Sequence, residues 1–295
     1  MYNLRGIILV VLAMLAFATE DMFVKALTQN LPTGQVMCLL GVGGAAIFGT
    51  IARAKGHRLL PPLFTNRALL IRTIAEGVGA CFFITSLSLV PMSTVAAVFQ
   101  ATPLAITLGA ALFLGEQVGW RRWSAILVGF CGVLLIIRPG MAGFNPASLI
   151  VLGAVAGIAT RDLISRRLPS DMSSFVVSFH GFAALAVVGP FLMLAKTDLP
   201  ALPNAVQAGQ LAAAMVCGVL GYYAIVTATR TGDAAAITPF RYTRLIFSII
   251  LGMMMFSEQP DLMTYVGSAL IIGSGLYTYL RERRLAARYA PKIAA

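Results

Sequence analysis

Charged residues, histidine and cysteine are all scarce in this sequence. Only 11% of the 295 residues are charged, histidine occurs twice, and the four cysteines fall in separate apolar segments without a Cys-x-x-Cys pair. This spacing excludes a disulfide framework and a cysteine-ligated metal site. The sequence also lacks the His-Glu-x-x-His and Gly-x-Ser-x-Gly motifs of metal-dependent and serine hydrolases. We therefore predict no catalytic residue, no metal and no cofactor.

Long apolar stretches, by contrast, run through the whole chain. Hydrophobic residues make up 59% of the sequence, in runs of about 20 residues, the length that a helix needs to cross a hydrocarbon core of about 30 Å. No polar segment is long enough for a soluble domain. The pattern predicts an all-α membrane protein with ten spans, numbered in chain order, at 5–26, 34–53, 68–89, 93–115, 122–138, 146–165, 173–194, 208–229, 233–256 and 262–281.

The net charge of +11 would indicate a nucleic-acid partner in a soluble protein, but its distribution points to a lipid bilayer instead. With a cytoplasmic N-terminus, most basic residues outside the spans fall on the cytoplasmic side, and the opposite side carries only Lys25, Arg138 and Lys196. Such an asymmetry of Lys and Arg sets the orientation of a membrane protein. We predict that both termini are cytoplasmic and that no nucleic acid binds.

The two halves of the chain resemble each other when the sequence is shifted by 141 or 142 residues. Because each half has five predicted spans, an odd number, the second half must enter the membrane with the opposite orientation. Such an inverted repeat is typical of secondary transporters, which bind their solute near the midplane between the repeats. We predict repeats at 1–140 and 141–285 and a basic cytoplasmic tail at 286–295. The matching segments are 18–21 with 159–162, 99–104 with 240–245, and 116–117 with 258–259.

Two arginines, Arg241 and Arg244, lie inside predicted span 9. A charged side chain at the centre of a bilayer costs roughly 2.5–3.5 kcal/mol on insertion scales, so intramembrane charges usually have a function or a partner. The i, i+3 spacing places both arginines on one helical face. They either bind a solute together or form structural ion pairs between helices. Tyr242, between them, and Tyr222 in span 8 would suit a planar solute.

Further polar candidates lie in spans 1, 3, 4 and 6. Glu76 lies near the midplane of span 3, where it is either a solute or proton site or the i, i+4 partner of Arg72. Glu20 in span 1 aligns with Arg161 in span 6, and Gln100 lies in a matching segment of span 4. The predicted substrate-binding residues are Arg241, Arg244, Tyr242, Glu76, Gln100, Glu20, Arg161 and Tyr222.

The five-plus-five arrangement, with Gly115-Glu116 at the end of span 4 and Ser257-Glu258 after span 9, resembles the EamA-type transporters of the drug/metabolite transporter superfamily. The resemblance covers essentially the whole chain. It implies ten helices, a central cavity lined mainly by spans 1, 3, 4, 6, 8 and 9, alternating access, and a place in a bacterial inner membrane. Arg244 departs from the family's pattern, because the first half keeps a proline at this point.

Within this superfamily, the sequence is similar to bacterial members that transport riboflavin, S-adenosylmethionine or amino acids. Paired arginines favour an acceptor-rich or anionic solute and aromatic residues favour a planar one, so riboflavin is the first expectation. S-adenosylmethionine is cationic at sulfur and would need Glu20 or Glu76 instead. An intramembrane enzyme and a non-transporting scaffold are the alternatives from other functional classes. The direction of transport, proton coupling and formation of a homodimer stay open.

Overall fold

The computed structural model describes residues 2–59, 66–115, 119–141, 143–169, 171–231 and 238–289, and these ranges contain helices and no β-strand. Short 3₁₀ turns, Pro146–Leu149 and Thr238–Tyr242, precede two of the helices. The α-helices of these ranges are α1 Tyr2–Thr28, α2 Thr33–Ala54, α3 Arg67–Leu89, α4 Met92–Phe99, α5 Thr102–Phe113, α6 Trp120–Ile137, α7 Ile150–Ser165, α8 Ser174–Lys196, α9 Ala205–Thr231, α10 Thr243–Phe256 and α11 Leu262–Tyr289.

Eight segments of the described chain are long and apolar enough to cross a membrane. They coincide with predicted spans 1 to 8, whose predicted starts lie within three residues of the starts of these segments. The helices α10 and α11 occupy predicted spans 9 and 10, although 233–237 of span 9 lie outside the described ranges. The all-helical membrane fold is confirmed. Apolar length is a strong signal because a helix satisfies its backbone polar groups internally, as lipid requires.

Predicted span 4 is not one continuous helix. The helix α4 ends at Phe99 and α5 begins at Thr102, so Gln100 lies at a break inside the span. Pro103 explains the break, because proline has no N–H to donate to the Phe99 carbonyl. The Thr102 hydroxyl donates to that carbonyl instead, at 2.5 Å. Pro239 likewise lies in a 3₁₀ turn, the one before α10. The break in span 4 and this turn place polar side chains within predicted spans.

The helices pack in pairs along much of their length: α1 with α9, α3 with α7, α2 with α8, and α6 with α11. Glycine permits close approach in these pairs. A Cβ at Gly41 of α2 would overlap the backbone of Ala186 in α8, and Gly132 of α6 lies against the backbone of Gly267 in α11. Small residues are typical of helix contacts in membranes, where association depends on close van der Waals packing.

The α6–α11 pair is also joined by an ion pair at one end. Arg138, which ends α6 in the left-handed conformation (φ 54°), donates a hydrogen bond to Asp261 just before α11. Asp261 also accepts from the backbone and the hydroxyl of Thr264, at 2.9 and 2.8 Å. Burial alone would raise the pKa of Asp261, but the hydrogen bonds from Arg138 and Thr264 outweigh it and lower the pKa to about 2. The Asp261 side chain stays 47% exposed.

Candidate functional site

Glu76 on α3 lies between two arginines. Its Oε2 accepts from Arg72 Nη2 at 3.1 Å, one helical turn away, and its Oε1 accepts from Arg161 Nη1 of α7 at 2.8 Å. Arg161 Nε donates to Asp162 Oδ1 at 2.8 Å. Arg72 Nε donates to the Ser165 hydroxyl at 3.0 Å. We call these five residues the Glu76 network.

The Glu76 network compensates its own charges. The side chains of Arg72, Glu76 and Arg161 are 12%, 15% and 25% exposed, so each ion pair is largely shielded from water. The hydroxyl of Ser165 donates back to the Arg161 carbonyl at 2.7 Å, which closes the chain of hydrogen bonds. The i, i+4 pairing of Glu76 with Arg72, one of the two alternatives from the sequence, is present. A direct contact of Glu76 or Arg161 with a solute stays a prediction.

Arg244 on α10 is held by α1. Its Nη2 and Nε donate to Asp21 Oδ2 at 2.6 and 3.1 Å. The guanidinium carbon also lies 5.5–5.6 Å from the ring centres of Phe17, Phe83 and Phe99, within the range of cation–π attraction. Arg244 is therefore engaged in a structural ion pair, the second of the two interpretations that the sequence allowed for it.

Glu20 has no such partner. In the part of the chain that the structure describes, its carboxylate makes neither a hydrogen bond nor an ion pair, although the next residue, Asp21, binds Arg244. The side chain is partly buried and points to α9, where a Cβ at Gly218 would lie 2.8–3.1 Å from carboxylate atoms of Glu20. Glycine at 218 thus leaves the space that the Glu20 carboxylate occupies.

Arg241 is the second charged side chain of the predicted site without a partner. It lies in the 3₁₀ turn before α10, is exposed, and donates no side-chain hydrogen bond to any described residue. Its charge interacts electrostatically with Asp162 and Arg161 at the edge of the Glu76 network. Gln100 donates to the backbone carbonyl of Arg241 at 3.5 Å. The two predicted repeat partners, Gln100 and Arg241, therefore meet between the break in span 4 and the 3₁₀ turn before α10.

The two predicted tyrosines lie in packed positions. The Tyr222 hydroxyl donates to the Ser174 carbonyl at 3.4 Å, and its ring contacts Phe48 edge-on, with 5.1 Å between ring centres. The Tyr242 hydroxyl lies against Gly275 of α11, where no Cβ would fit. Across the described ranges, no group of three His, Cys, Asp or Glu residues could hold a metal ion.

The EamA-like transporter family model matches residues 4–138 and again 145–280. The chain belongs to this family. A solved crystal structure also superimposes on 95% of this chain and 98% of its own, with a TM-score of 0.60 and 20% sequence identity, which indicates the same fold. Family membership makes the protein a membrane transporter and points away from an enzyme.

Relatives of this transporter carry different names. A riboflavin transporter of Vibrio cholerae is 32% identical over 211 residues, which cover 69% of this chain and 68% of the relative. An S-adenosylmethionine uptake transporter of Rickettsia felis is 28% identical over 240 residues, covering 78% and 81%. A pseudopaline exporter of Pseudomonas aeruginosa is 24% identical over 268 residues, covering 90% and 93%. Because these relatives are named for three different metabolites, their names do not identify the solute of this chain.

Asp21 and Ser165 also belong to the site region, although neither is among the residues predicted to bind the substrate. Asp21 is only 6% exposed and neutralises Arg244, so it is not a residue at a solvated helix end. Its signal in the sequence is its match to Asp162, since both follow a charged residue at the same place in the repeat. The predicted residues Glu20, Gln100, Arg241 and Arg244 do come together around α1, α10 and the break before α5.

Proposed function

We propose that the protein is a secondary transporter that moves a small organic metabolite across a bacterial inner membrane by alternating access. The ten spans would form two inverted repeats, 1–140 and 141–285. Two observations support the repeat. The helix pairs α1–α9 and α7–α3 correspond to each other in the 141-residue register, and the matched residues Gln100 and Arg241 are in contact. Both termini would be cytoplasmic, as the basic residues indicate.

The observation that carries the solute proposal is that Glu20 and Arg241 form no ion pair with any residue that the structure describes. Their signs are opposite, and α1 contacts the 3₁₀ turn that carries Arg241. An intramembrane charge without a partner is unfavourable, so the partly buried Glu20 needs a solute, a proton or water to compensate it, whereas the Arg241 side chain is exposed. The other described intramembrane acids of the site region, Asp21, Glu76 and Asp162, are already paired with arginines.

The solute class that fits both charges carries an acceptor or anionic group for Arg241 and a cationic group for Glu20. S-adenosylmethionine has this chemistry, with a carboxylate at one end and a sulfonium and an ammonium beside it. Glu76, the alternative partner of the sulfonium, already accepts from two arginines. We therefore place S-adenosylmethionine first, ahead of the riboflavin that the sequence favoured. Uptake transporters for S-adenosylmethionine are among the relatives.

Riboflavin is the second candidate. A riboflavin transporter is 32% identical to this chain, and Arg241 with Gln100 could hold the acceptor-rich end of the ring. Two observations weaken it. Arg244 is not free to join Arg241, because Asp21 holds it, and the three phenylalanines near the site face this guanidinium. Riboflavin is also uncharged, so it would leave Glu20 uncompensated.

A thermal-shift panel on purified protein tests both candidates. S-adenosylmethionine at about 100 times its Kd should stabilise the wild type by roughly 2.7 kcal/mol. Arg241→Ala and Glu20→Gln should each remove this shift while leaving the melting temperature without solute nearly unchanged. Asp261→Asn, which also removes one charge but lies outside the site, should keep the shift. A shift with riboflavin alone that depends on Arg241 and not on Glu20 would reverse the order of the candidates.

A further inference from the structure

The Ser257-Glu258 motif follows α10, and the Glu258 side chain lies across the last turn of this helix. Ser257 is left-handed (φ 53°), and the Glu258 backbone N–H donates to the Gly252 carbonyl at 3.2 Å, so the chain reverses here. A Cβ at position 252 would lie 2.6 Å from Glu258 Oε2, so the glycine lets the side chain cross the helix. Gly115 before Glu116 is left-handed as well (φ 67°), whereas Glu116 itself lies outside the described residues.

Glu258 caps the start of α4. Its Oε1 accepts from the Met92 backbone N–H at 2.6 Å, and its Oε2 accepts from the Ser93 backbone N–H and hydroxyl at 3.1 and 2.9 Å. The first N–H groups of a helix have no partner within the helix and favour a negative charge. A carboxylate from the other half of the chain thus completes α4.

The same carboxylate holds α1 through Lys25. The Lys25 ammonium lies 3.4 Å from Glu258 Oε1 and donates to the Val90 and Leu87 carbonyls at 2.7 and 3.2 Å. It also lies 5.4 Å from the ring centre of Phe256. The side chains of Lys25 and Glu258 are only 11% and 8% exposed. We call Lys25, Met92, Ser93 and Glu258 the Glu258 cluster.

We propose that the Glu258 cluster is the latch that closes one end of the transporter, the outer end in the predicted orientation. It joins α1 and the start of α4, in the first half of the chain, to the loop between α10 and α11 in the second half. In the closed state the Glu258 carboxylate binds the Lys25 ammonium and the backbone N–H groups of Met92 and Ser93, and these contacts are shielded from water. When this end opens, water takes over these bonds, so the latch separates only in a hydrated, open state. The inference rests on the alternating access proposed above.

The Arg138–Asp261 pair provides a contrast at the same end of the bundle. It joins α6 and α11, whose backbones already touch at Gly132 and Gly267. Although α6 and α11 belong to different halves, this close backbone contact holds them together without the ion pair, so the pair is not needed as a latch. Asp261→Asn is therefore a matched control for Glu258→Gln, since each replaces one carboxylate by its amide near the same end.

The test measures maleimide labelling of a cysteine at Val95 of α4, with the four native cysteines replaced by alanine. Val95 is fully buried, and cysteine is smaller than valine, so the reporter fits without strain. In nanodiscs, which expose both faces, Glu258→Gln and Lys25→Met should each accelerate labelling at least tenfold, and Asp261→Asn should not. No solute is needed, so the outcome is independent of which metabolite the protein carries.

A second reporter separates gating from general unfolding. Ile271 of α11 is also fully buried, and a cysteine there should label at the wild-type rate in all three variants. Equal acceleration at both reporters, or by Asp261→Asn, would overturn the latch. If Glu258→Gln fails to fold, Ser93→Ala removes only the hydroxyl bond to Oε2 and should give a smaller acceleration at position 95. A wild-type rate in that variant would equally overturn the proposal.

Discussion

Two intramembrane glutamates, Glu76 and Glu20, have opposite surroundings. Glu76 accepts hydrogen bonds from two arginines on two helices, and every member of its network has a partner. Glu20 lies on α1 against a glycine and makes no ion pair with any described residue, although Asp21 beside it binds Arg244. In a repeat-related position, the first half thus has an unpaired acid and the second half has Arg161, which is paired twice.

The difference separates two uses of charge in a membrane. A closed network such as that of Glu76 fixes α3 against α7, because removing one member leaves the others buried without compensation. A single acid such as Glu20, which forms no ion pair among the described residues, provides no such link between helices, and we propose that it serves a ligand. Residue type alone does not distinguish the two uses. The hydrogen-bond partners do.

The largest effect should come from breaking the Glu76 network. Glu76→Gln leaves Arg72 and Arg161 close together without their carboxylate, which should lower the free energy of unfolding by about 3–5 kcal/mol. Glu20→Gln has the same chemistry but breaks no ion pair, so it should change that free energy by less than about 1 kcal/mol. Unfolding in detergent, followed by circular dichroism, measures both. Similar losses in the two variants would show that Glu20 is also structural.

A smaller effect should follow from filling the space beside Glu20. In Gly218→Ala the new methyl group would lie 2.8–3.1 Å from the Glu20 carboxylate, so this flexible side chain must turn away. We expect S-adenosylmethionine affinity to fall about tenfold, roughly 1.4 kcal/mol, with little loss of stability. Gly221→Ala, one turn along α9, meets the ring of Phe17 instead and serves as the control in isothermal titration. Equal losses of affinity in both variants would contradict the role of Glu20.

The smallest effect should come from the exposed pair, Arg138–Asp261. The pKa of Asp261 in the folded protein, about 2, lies below the ordinary value of 3.8. The stabilisation by its carboxylate is therefore present above pH 3.8 and is lost as the pH falls through 2. Because Asp261 is 47% exposed, the pair should contribute only about 0.2–1 kcal/mol. Melting temperatures of wild type and Asp261→Asn should differ at pH 5 and converge toward pH 2. A constant difference across this range would assign the effect to something other than the ionised carboxylate.

Much of the fold could be predicted because it depends on local chemistry. Apolar length alone placed the starts of spans 1 to 8 within three residues of the starts of the apolar segments. The hydropathy of span 4 does not show its break, since the apolar run continues through Gln100 and Pro103, but Pro103 itself permits a local irregularity of the helix there. Proline removes a hydrogen-bond donor without changing the hydropathy, so a hydropathy pattern passes over it.

The pairing of charges could not be predicted, because it depends on which helices pack together and at what rotation. Arg241 and Arg244 share a helical face in the sequence pattern, yet within the described ranges only Arg244 forms an ion pair. Asp21 is 223 positions away from it, and no local pattern links the two. For Glu76, by contrast, the local i, i+4 spacing did point to Arg72. No pattern around Glu76 predicts its second partner, Arg161. In the sequence, the repeat relates Arg161 only to Glu20.

The long sequence separation between α1 and its partners has a consequence for biosynthesis. Glu20, Asp21 and Lys25 belong to the first helix, whereas the partners Arg244 and Glu258 are translated more than 220 positions later. At roughly 5–20 residues per second, the 223 positions between Asp21 and Arg244 take about 11–45 s to synthesise. During this interval Asp21 and Lys25 lack the ion-pair partners that they have in the folded protein. The ion pairs of the first helix can therefore form only after the ninth span and the loop behind it have been synthesised.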